Sequence, residues 1–239
     1  MKTPYFIISL IFIFMLSACQ SDKDKTSNGS QNGRFTKKDI DVKIPSNGKT
    51  DTDLSKIKTL KQEELIPFLR QYGVDNTETI VTVSTKFGDF KMQLFAGPKL
   101  HRANFVRLAK LGYFDTTVFH RVSEDFVIQG GNSDRQATHD FREAVGDYLI
   151  PNEFKSIHRH NYGAVSAAKY TEQNVSNASS PFEFFIVTAK QGAHHLDEDH
   201  TVFGRVTEGM DVVEKIDAVK TDDSEWPLSN IEMEVTVSR

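Results

Sequence analysis

Short strand-like segments dominate the sequence from residue 79 onward and limit the folds that this chain can adopt. Alternating runs at 80–85 and 90–94 flank a Gly-Asp turn, which predicts a β-hairpin. Further strands are predicted at 118–122, 126–129, 164–168, 183–188, 201–206 and 231–237. Two helices are predicted among them, one from Pro98 to Gly112 and one after Thr207. Many short strands with two helices favour a mainly β fold, a closed antiparallel barrel without exposed strand edges.

The N-terminus has the pattern of a secretory signal. Lys2 precedes an apolar run at residues 5–16, which is short for a bilayer span because spanning takes about 20 residues. The ending Leu-Ser-Ala-Cys19 resembles the bacterial lipobox, which implies cleavage before Cys19 and lipid attachment to it. We therefore expect a lipoprotein signal peptide at 1–18 and a lipid anchor in the bacterial cell envelope, facing the periplasm or in the outer membrane. A plain signal peptide with a coincidental cysteine, or an uncleaved anchor, is the alternative.

Two segments lie between this signal and the strand-rich region. Residues 19–50 are mostly small, polar and charged, so we expect a flexible tether that cannot bury enough surface to order itself. Residues 51–78 contain apolar side chains at helical spacing and predict a short helical extension that leans on the main domain. Pro67 is expected to kink or split this helix, and Gly73 to end it.

Charge and cysteine content narrow the possible functions. The 239-residue chain has a formal net charge of −4, which argues against a general nucleic-acid binder. Cys19 is the single cysteine, so no disulfide is expected and the domain depends on its own core.

Three clusters carry the candidate chemistry: residues 118–131, 182–189 and 196–210. They combine an arginine with phenylalanine side chains and an amide. They lack a cysteine nucleophile, a nucleophile-elbow serine and a phosphate-binding glycine loop. Such residues can bind and polarise a neutral group, and they do not suggest covalent catalysis.

The same clusters resemble the cyclophilin family of peptidyl-prolyl cis–trans isomerases over Thr79 to Arg239. The resemblance rests on Phe-His-Arg121, on Phe126 to Gly131, on Glu183-Phe-Phe-Ile, on Leu196-Asp197 and on His-Thr-Val-Phe-Gly204. It implies a closed eight-stranded antiparallel barrel capped by two helices, occupying residues 79–239. It also implies isomerisation of X-Pro bonds without a cofactor or a metal.

The resemblance also implies roles for individual residues. Arg121 is expected to stabilise the twisted amide, with Phe126 and Gln129 as its catalytic neighbours. The substrate-binding residues are expected to be Val127, Ala168, Lys169, Glu183, Phe185, His195, Leu196 and His200. The expected partners are proline-containing unfolded or exported polypeptides and, through the lipid, a membrane. No nucleic acid is expected as a partner, and the protein is expected to be a monomer.

Three departures from the family pattern bear on activity. Glu183 stands where the family usually has Gln, and its carboxylate could pair with Arg121 and compete with substrate. His195 replaces an aromatic residue, and Lys169 replaces an Asn whose backbone usually meets the peptide. The connection at 170–181 is longer than usual, so substrate access is expected to differ.

Two other functions remain open at this point. Glu183 favours a non-catalytic proline-peptide-binding envelope chaperone as the alternative to an enzyme. The run of histidines and carboxylates at 194–200 could bind zinc or nickel, although Leu196 and His200 are already accounted for by the family pattern. His158 and His160 are expected at the surface.

Overall fold

A computed structural model of the chain describes residue 50 and residues 52–170 and 176–239. The predicted signal peptide, the lipid attachment site Cys19 and all but the last residue of the predicted tether lie outside these ranges. Within the described ranges, no helix is long and apolar enough to cross a bilayer.

Eight antiparallel strands form one sheet, as predicted. The strands are β1 (Ile80–Thr85), β2 (Gly88–Leu94), β3 (Val118–Ser123), β4 (Val127–Asn132), β5 (Ala164–Ala167), β6 (Phe184–Val187), β7 (Val202–Glu208) and β8 (Glu234–Ser238). Their order in the sheet is β3-β4-β6-β5-β7-β2-β1-β8.

The two ends of this sheet approach each other. Val118 of β3 forms an isolated antiparallel bridge with Glu232, just ahead of β8. The Phe119 backbone N–H donates to the Ile231 carbonyl oxygen at 2.9 Å. The sheet therefore curls around a core that is rich in phenylalanine, and the edge strand β3 gains backbone partners from residues 231 and 232.

Three helices accompany the strands of the barrel. Two were predicted, α2 (Lys99–Leu111) and α4 (Met210–Asp217). The third, α3 (Gln136–Val145), was missed. Its signal was present, because Ala137, Phe141 and Val145 recur every four residues and are buried.

One further helix, α1 (Gln62–Asp75), lies in the N-terminal extension. Pro67 does not split it into two pieces, since α1 continues through Pro67; a kink at Pro67 stays a prediction. A proline in the second turn removes only the bond to the carbonyl of Glu63. Gly73 does not end the helix either; a Cβ there would lie 3.2 Å from the Cβ of Ala103, so this glycine allows α1 to approach α2 closely.

Candidate active site

A cavity of about 160 Å³ opens beside β3, β4 and β6. Nine of the eleven predicted pocket residues line it: Arg121, Phe126, Val127, Gln129, Ala168, Lys169, Phe185, Leu196 and His200. The other two, Glu183 and His195, lie next to lining residues. The structure thus brings together side chains from segments that are far apart in the sequence.

The floor of the cavity is apolar. Val127, Ala168 and Phe185 are buried in a small cluster of their own, separate from the main core, with Phe126 and Leu196 packed against it. Outside the cavity, the ring of His195 stacks on Phe126 with centroids 5.5 Å apart and planes 20° apart. His195 therefore supports one wall and does not line the cavity.

Arg121 pairs with a residue that the sequence did not indicate. Its Nε donates to Oε2 of Glu225 at 2.7 Å, and the Arg121 side chain stays 35 % exposed. A register shift between Phe119 and Arg121 interrupts the strand pairing at this point. Such bulges re-aim side chains at the edge of a site. The expectation that Glu183 could pair with Arg121 is not met.

Glu183 pairs with Gln129 and Arg142 and not with Arg121. Its Oε2 accepts from Gln129 Nε2 at 3.0 Å, and its Oε1 accepts from Arg142 Nη2 at 3.1 Å. His120 Nε2 lies 3.6 Å from Oε2. Burial alone would raise the pKa of Glu183, but His120 and Arg142 outweigh burial and lower it. Glu183 is therefore a carboxylate that holds the amide of Gln129.

Arg142 lies on α3, the helix that was not predicted. Its Nε donates to the hydroxyl of Tyr113 at 2.9 Å, and its Nη2 also donates to the Gly131 carbonyl oxygen at 3.0 Å. The guanidinium lies 4.9 Å from the ring centroid of Phe182. Arg142 is thus held on several sides where it can neutralise Glu183.

Lys169 does not point freely into the cavity. Its Nζ pairs with Oδ1 of Asp199 at 2.5 Å and donates to Oδ1 of Asn177 at 3.2 Å. Burial, followed by the positive charge of Lys169, lowers the pKa of His200 to about 4. His200 therefore lines the cavity as a neutral ring at neutral pH.

His160 is buried, so its predicted surface position is wrong. The reason is a polar network: His160 Nδ1 lies 2.9 Å from Asp197 Oδ1, and its Nε2 lies 2.9 Å from Ser166 Oγ. The His160 ring also stacks on Phe185, with centroids 5.8 Å apart. His160 thus fixes the loop that carries Leu196 and supports the cavity floor from below.

The acidic side chains of Asp197 and Asp199, in the run at 194–200 that could have bound a metal, already pair with protein side chains. Asp197 bonds to Arg159 and His160, and lies 3.2 Å from His194 Nδ1. Across the part of the chain that the structure describes, no group of three or more histidine, cysteine or acidic side chains is placed to hold a metal ion.

The sequence of the barrel is similar to that of one known enzyme family and to individual members of it. Residues 80–237 match the model of the cyclophilin-type peptidyl-prolyl cis-trans isomerases. The chain is 30 % identical over 155 residues to peptidyl-prolyl cis-trans isomerase CYP18-2 of Arabidopsis thaliana, a match that covers 64 % of this chain and 89 % of that protein. It is 35 % identical over 157 residues to cypE of Dictyostelium discoideum, covering 65 % and 94 %.

Other matches differ in how much of each chain they cover. Peptidyl-prolyl cis-trans isomerase-like 2 of Rhizopus delemar is 34 % identical over 153 residues, which span 63 % of this chain and only 27 % of that protein. A crystal structure of a cyclophilin-type isomerase from Cryptosporidium parvum has a TM-score of 0.55 and 23 % identity, covering 68 % of this chain and 98 % of the other. That structural likeness concerns the fold alone.

The chain belongs to the cyclophilin-type peptidyl-prolyl cis–trans isomerase family, and it is an enzyme of that class. The relatives named above come from eukaryotes. They therefore support the isomerase family and give no support to a bacterial lipoprotein form.

Proposed function

We propose that this protein isomerises X-Pro bonds in exported polypeptides, with Arg121 stabilising the twisted amide and no covalent intermediate. One observation carries the proposal: Arg121 lines a cavity of about 160 Å³ whose floor is formed by apolar side chains such as Val127 and Phe185. Gln129 is the register partner of Arg121 on β4 and lines the same cavity. A proline ring would fill the apolar floor while its peptide bond meets these two polar side chains.

Isomerisation of an X-Pro bond requires rotation about one amide bond and breaks no covalent bond. An X-Pro bond resists rotation because amide resonance gives a barrier of roughly 18–20 kcal/mol. In the transition state the bond is twisted, and the nitrogen recovers a localised lone pair. A guanidinium that donates to this nitrogen, or to the twisted carbonyl, binds the transition state more tightly than either planar isomer. Lowering the barrier by about 7 kcal/mol corresponds to about 10⁵-fold acceleration.

A second observation supports proline peptides as the substrate class. The Cryptosporidium parvum isomerase has also been crystallised in the presence of the dipeptide Ala-Pro. The Arg142 contact to Glu183 further supports catalysis over binding alone, because a neutralised Glu183 does not compete with substrate for Arg121.

The test is an isomerisation assay on a short X-Pro peptide with wild type, Arg121→Ala and Arg205→Ala. Arg205 is an exposed arginine of β7 that does not line the cavity, so it is the matched control. We expect Arg121→Ala to lower kcat/KM by about 100-fold and Arg205→Ala to leave it within twofold. Equal rates near background for wild type and Arg121→Ala would leave a non-catalytic proline-peptide-binding chaperone as the better description.

We further propose that the protein acts in the bacterial cell envelope, anchored by a lipid on Cys19 after removal of residues 1–18. The support is the sequence pattern alone, a short apolar run that ends in Leu-Ser-Ala-Cys19. Labelled fatty acid should enter the wild-type protein and not Cys19→Ser. Labelling of neither protein would contradict the anchor.

A further inference from the structure

Glu225 makes three contacts with β3 at the point where Arg121 leaves the strand. Its Oε2 accepts from Arg121 Nε at 2.7 Å, and its Oε1 accepts from Ser123 Oγ at 2.6 Å. Its backbone carbonyl oxygen accepts from the Val122 N–H at 2.8 Å. Both carboxylate oxygens and the backbone of Glu225 are thus tied to consecutive residues of the strand that carries Arg121.

The turn around Glu225 holds it in place. Asp222 Oδ1 accepts from the backbone N–H groups of Ser224 and Trp226, at 2.8 and 3.0 Å. The Glu225 N–H donates to the Asp222 carbonyl oxygen at 3.0 Å. Glu225 has φ +63°, a left-handed conformation that is unfavourable for a residue with a side chain. The surrounding bonds hold it there, and they aim its carboxylate at Arg121.

The pairing leaves the reactive part of Arg121 free. The carboxylate occupies Nε, on the inner side of the guanidinium fork. Among the described residues, no hydrogen bond is made by the two terminal nitrogens of Arg121. An arginine side chain otherwise loses rotamer entropy when a substrate fixes it. A guanidinium already held at Nε has lost part of that freedom before substrate arrives.

We propose that Glu225 is a positioning residue for Arg121: it orients the guanidinium so that the two terminal nitrogens face the bound X-Pro amide. This inference rests on the proposed function. It differs from an ordinary surface ion pair, which contributes little because both partners are mobile. Here one partner is fixed by its own backbone and by Ser123. A guanidinium fixed in this way stabilises the transition state more than the ground state, because only the twisted amide needs the guanidinium in one orientation.

The test compares Glu225→Ala, Glu225→Gln and Asp223→Ala in the X-Pro peptide assay, alongside Arg121→Ala. Asp223 is an exposed carboxylate of the same turn, so its removal changes the loop charge without touching Arg121. We expect Glu225→Ala to lower kcat about tenfold with KM changed less than twofold. Glu225→Gln keeps an oxygen acceptor for Nε, so it should lose only about threefold. Asp223→Ala should match wild type.

A spectroscopic measurement separates positioning from folding. In an NMR spectrum of arginine side chains, the Arg121 Nε–H signal should exchange slowly with water in the wild type. It should exchange rapidly in Glu225→Ala while the backbone spectrum stays folded. The signal is assigned by its absence in Arg121→Ala.

The outcomes distinguish this inference from the proposed function. If Arg121→Ala loses activity while Glu225→Ala keeps kcat within twofold of wild type, or exceeds it, Glu225 does not position Arg121 and the isomerase proposal stands. If wild type and Arg121→Ala are equally inactive, the proposed function fails and this inference fails with it. A loss of kcat in Asp223→Ala equal to that in Glu225→Ala would point to loop charge and would also overturn the inference.

Discussion

Glu183 is a buried carboxylate whose charge is stabilised by His120 and by Arg142 of α3. Its side chain is 11 % exposed, and Arg142 is the only arginine paired with it among the described residues. A buried carboxylate that loses its counter-ion costs several kcal/mol, because its desolvation is no longer offset. Glu183 and Arg142 therefore form a unit, in which Arg142 offsets the charge of the carboxylate that accepts from Gln129.

This unit leads to a double-variant prediction. Arg142→Gln should lower the free energy of unfolding by about 2–4 kcal/mol, because Glu183 is left as a buried charge without its arginine. Arg142→Gln combined with Glu183→Gln should recover most of that loss, since the buried charge is gone. Urea denaturation of the single and double variants measures the coupling. Strictly additive effects of the two substitutions would show that the pair does not act as a unit.

The polar contacts of the site show what the sequence could and could not predict. Arg121, Gln129 and Phe185 were predicted because each lies in a local motif that resembles the cyclophilin family. Glu225 was missed because it contacts Arg121 from 104 positions away, in a loop with no motif. Arg142 lies 41 positions from Glu183, and it could have been anticipated only by noticing the helical spacing of α3. Side-chain pairing across such distances depends on the assembled fold, which local patterns do not encode.

At the scale of elements, α1 is part of the core although it precedes the barrel in sequence. Leu65 and Leu69 have no exposed surface and belong to the main core cluster. Gly73 lets the helix approach Ala103 of α2 closely. The extension is therefore more than a spacer. The apolar spacing of residues 60–69 indicated a helix, but the depth to which it is buried depends on a neighbour that the local pattern does not reveal.

The burial of α1 predicts a large difference between two neighbouring side chains. Leu69→Ala should lower the free energy of unfolding by about 2–5 kcal/mol, because it leaves a cavity in a closed core. Ile66→Ala, on the same helix but 36 % exposed, should change it by less than about 1 kcal/mol. Thermal and urea unfolding of the two variants make the comparison. Equal small effects would show that α1 does not contribute to the stability of the domain.

At the scale of the whole molecule, the buried His160 and the half-buried His200 make stability depend on pH. The pKa of His200 is lowered to about 4 from an ordinary value of 6.5, and burial lowers that of His160 as well. Below about pH 6.5 these histidine rings therefore bind protons in the unfolded chain but stay neutral in the folded protein. The free energy of unfolding should fall as the pH falls from about 6.5, and for His200 the loss should continue to about pH 4.

Urea midpoints at pH 7.5, 6 and 5 measure this dependence. The wild type should lose stability steadily over the range, and His200→Gln should lose less because one of the protonation events is removed. His139→Gln replaces a histidine whose side chain is 66 % exposed, so it should follow the wild type. A His200→Gln slope identical to that of the wild type would assign the acid sensitivity to other groups.

The closure of the barrel has a consequence for how the chain is made. β1 pairs with β8, and β3 meets residues 231 and 232, so the first strands of the barrel depend on the last ones. Contacts of such long sequence separation form slowly, since a large loop must close first. A nascent chain that still lacks residues 231–238 has two open sheet edges and cannot complete the domain. Folding of the domain must therefore wait until this segment has been synthesised, and the earlier strands stay open to chaperones until then.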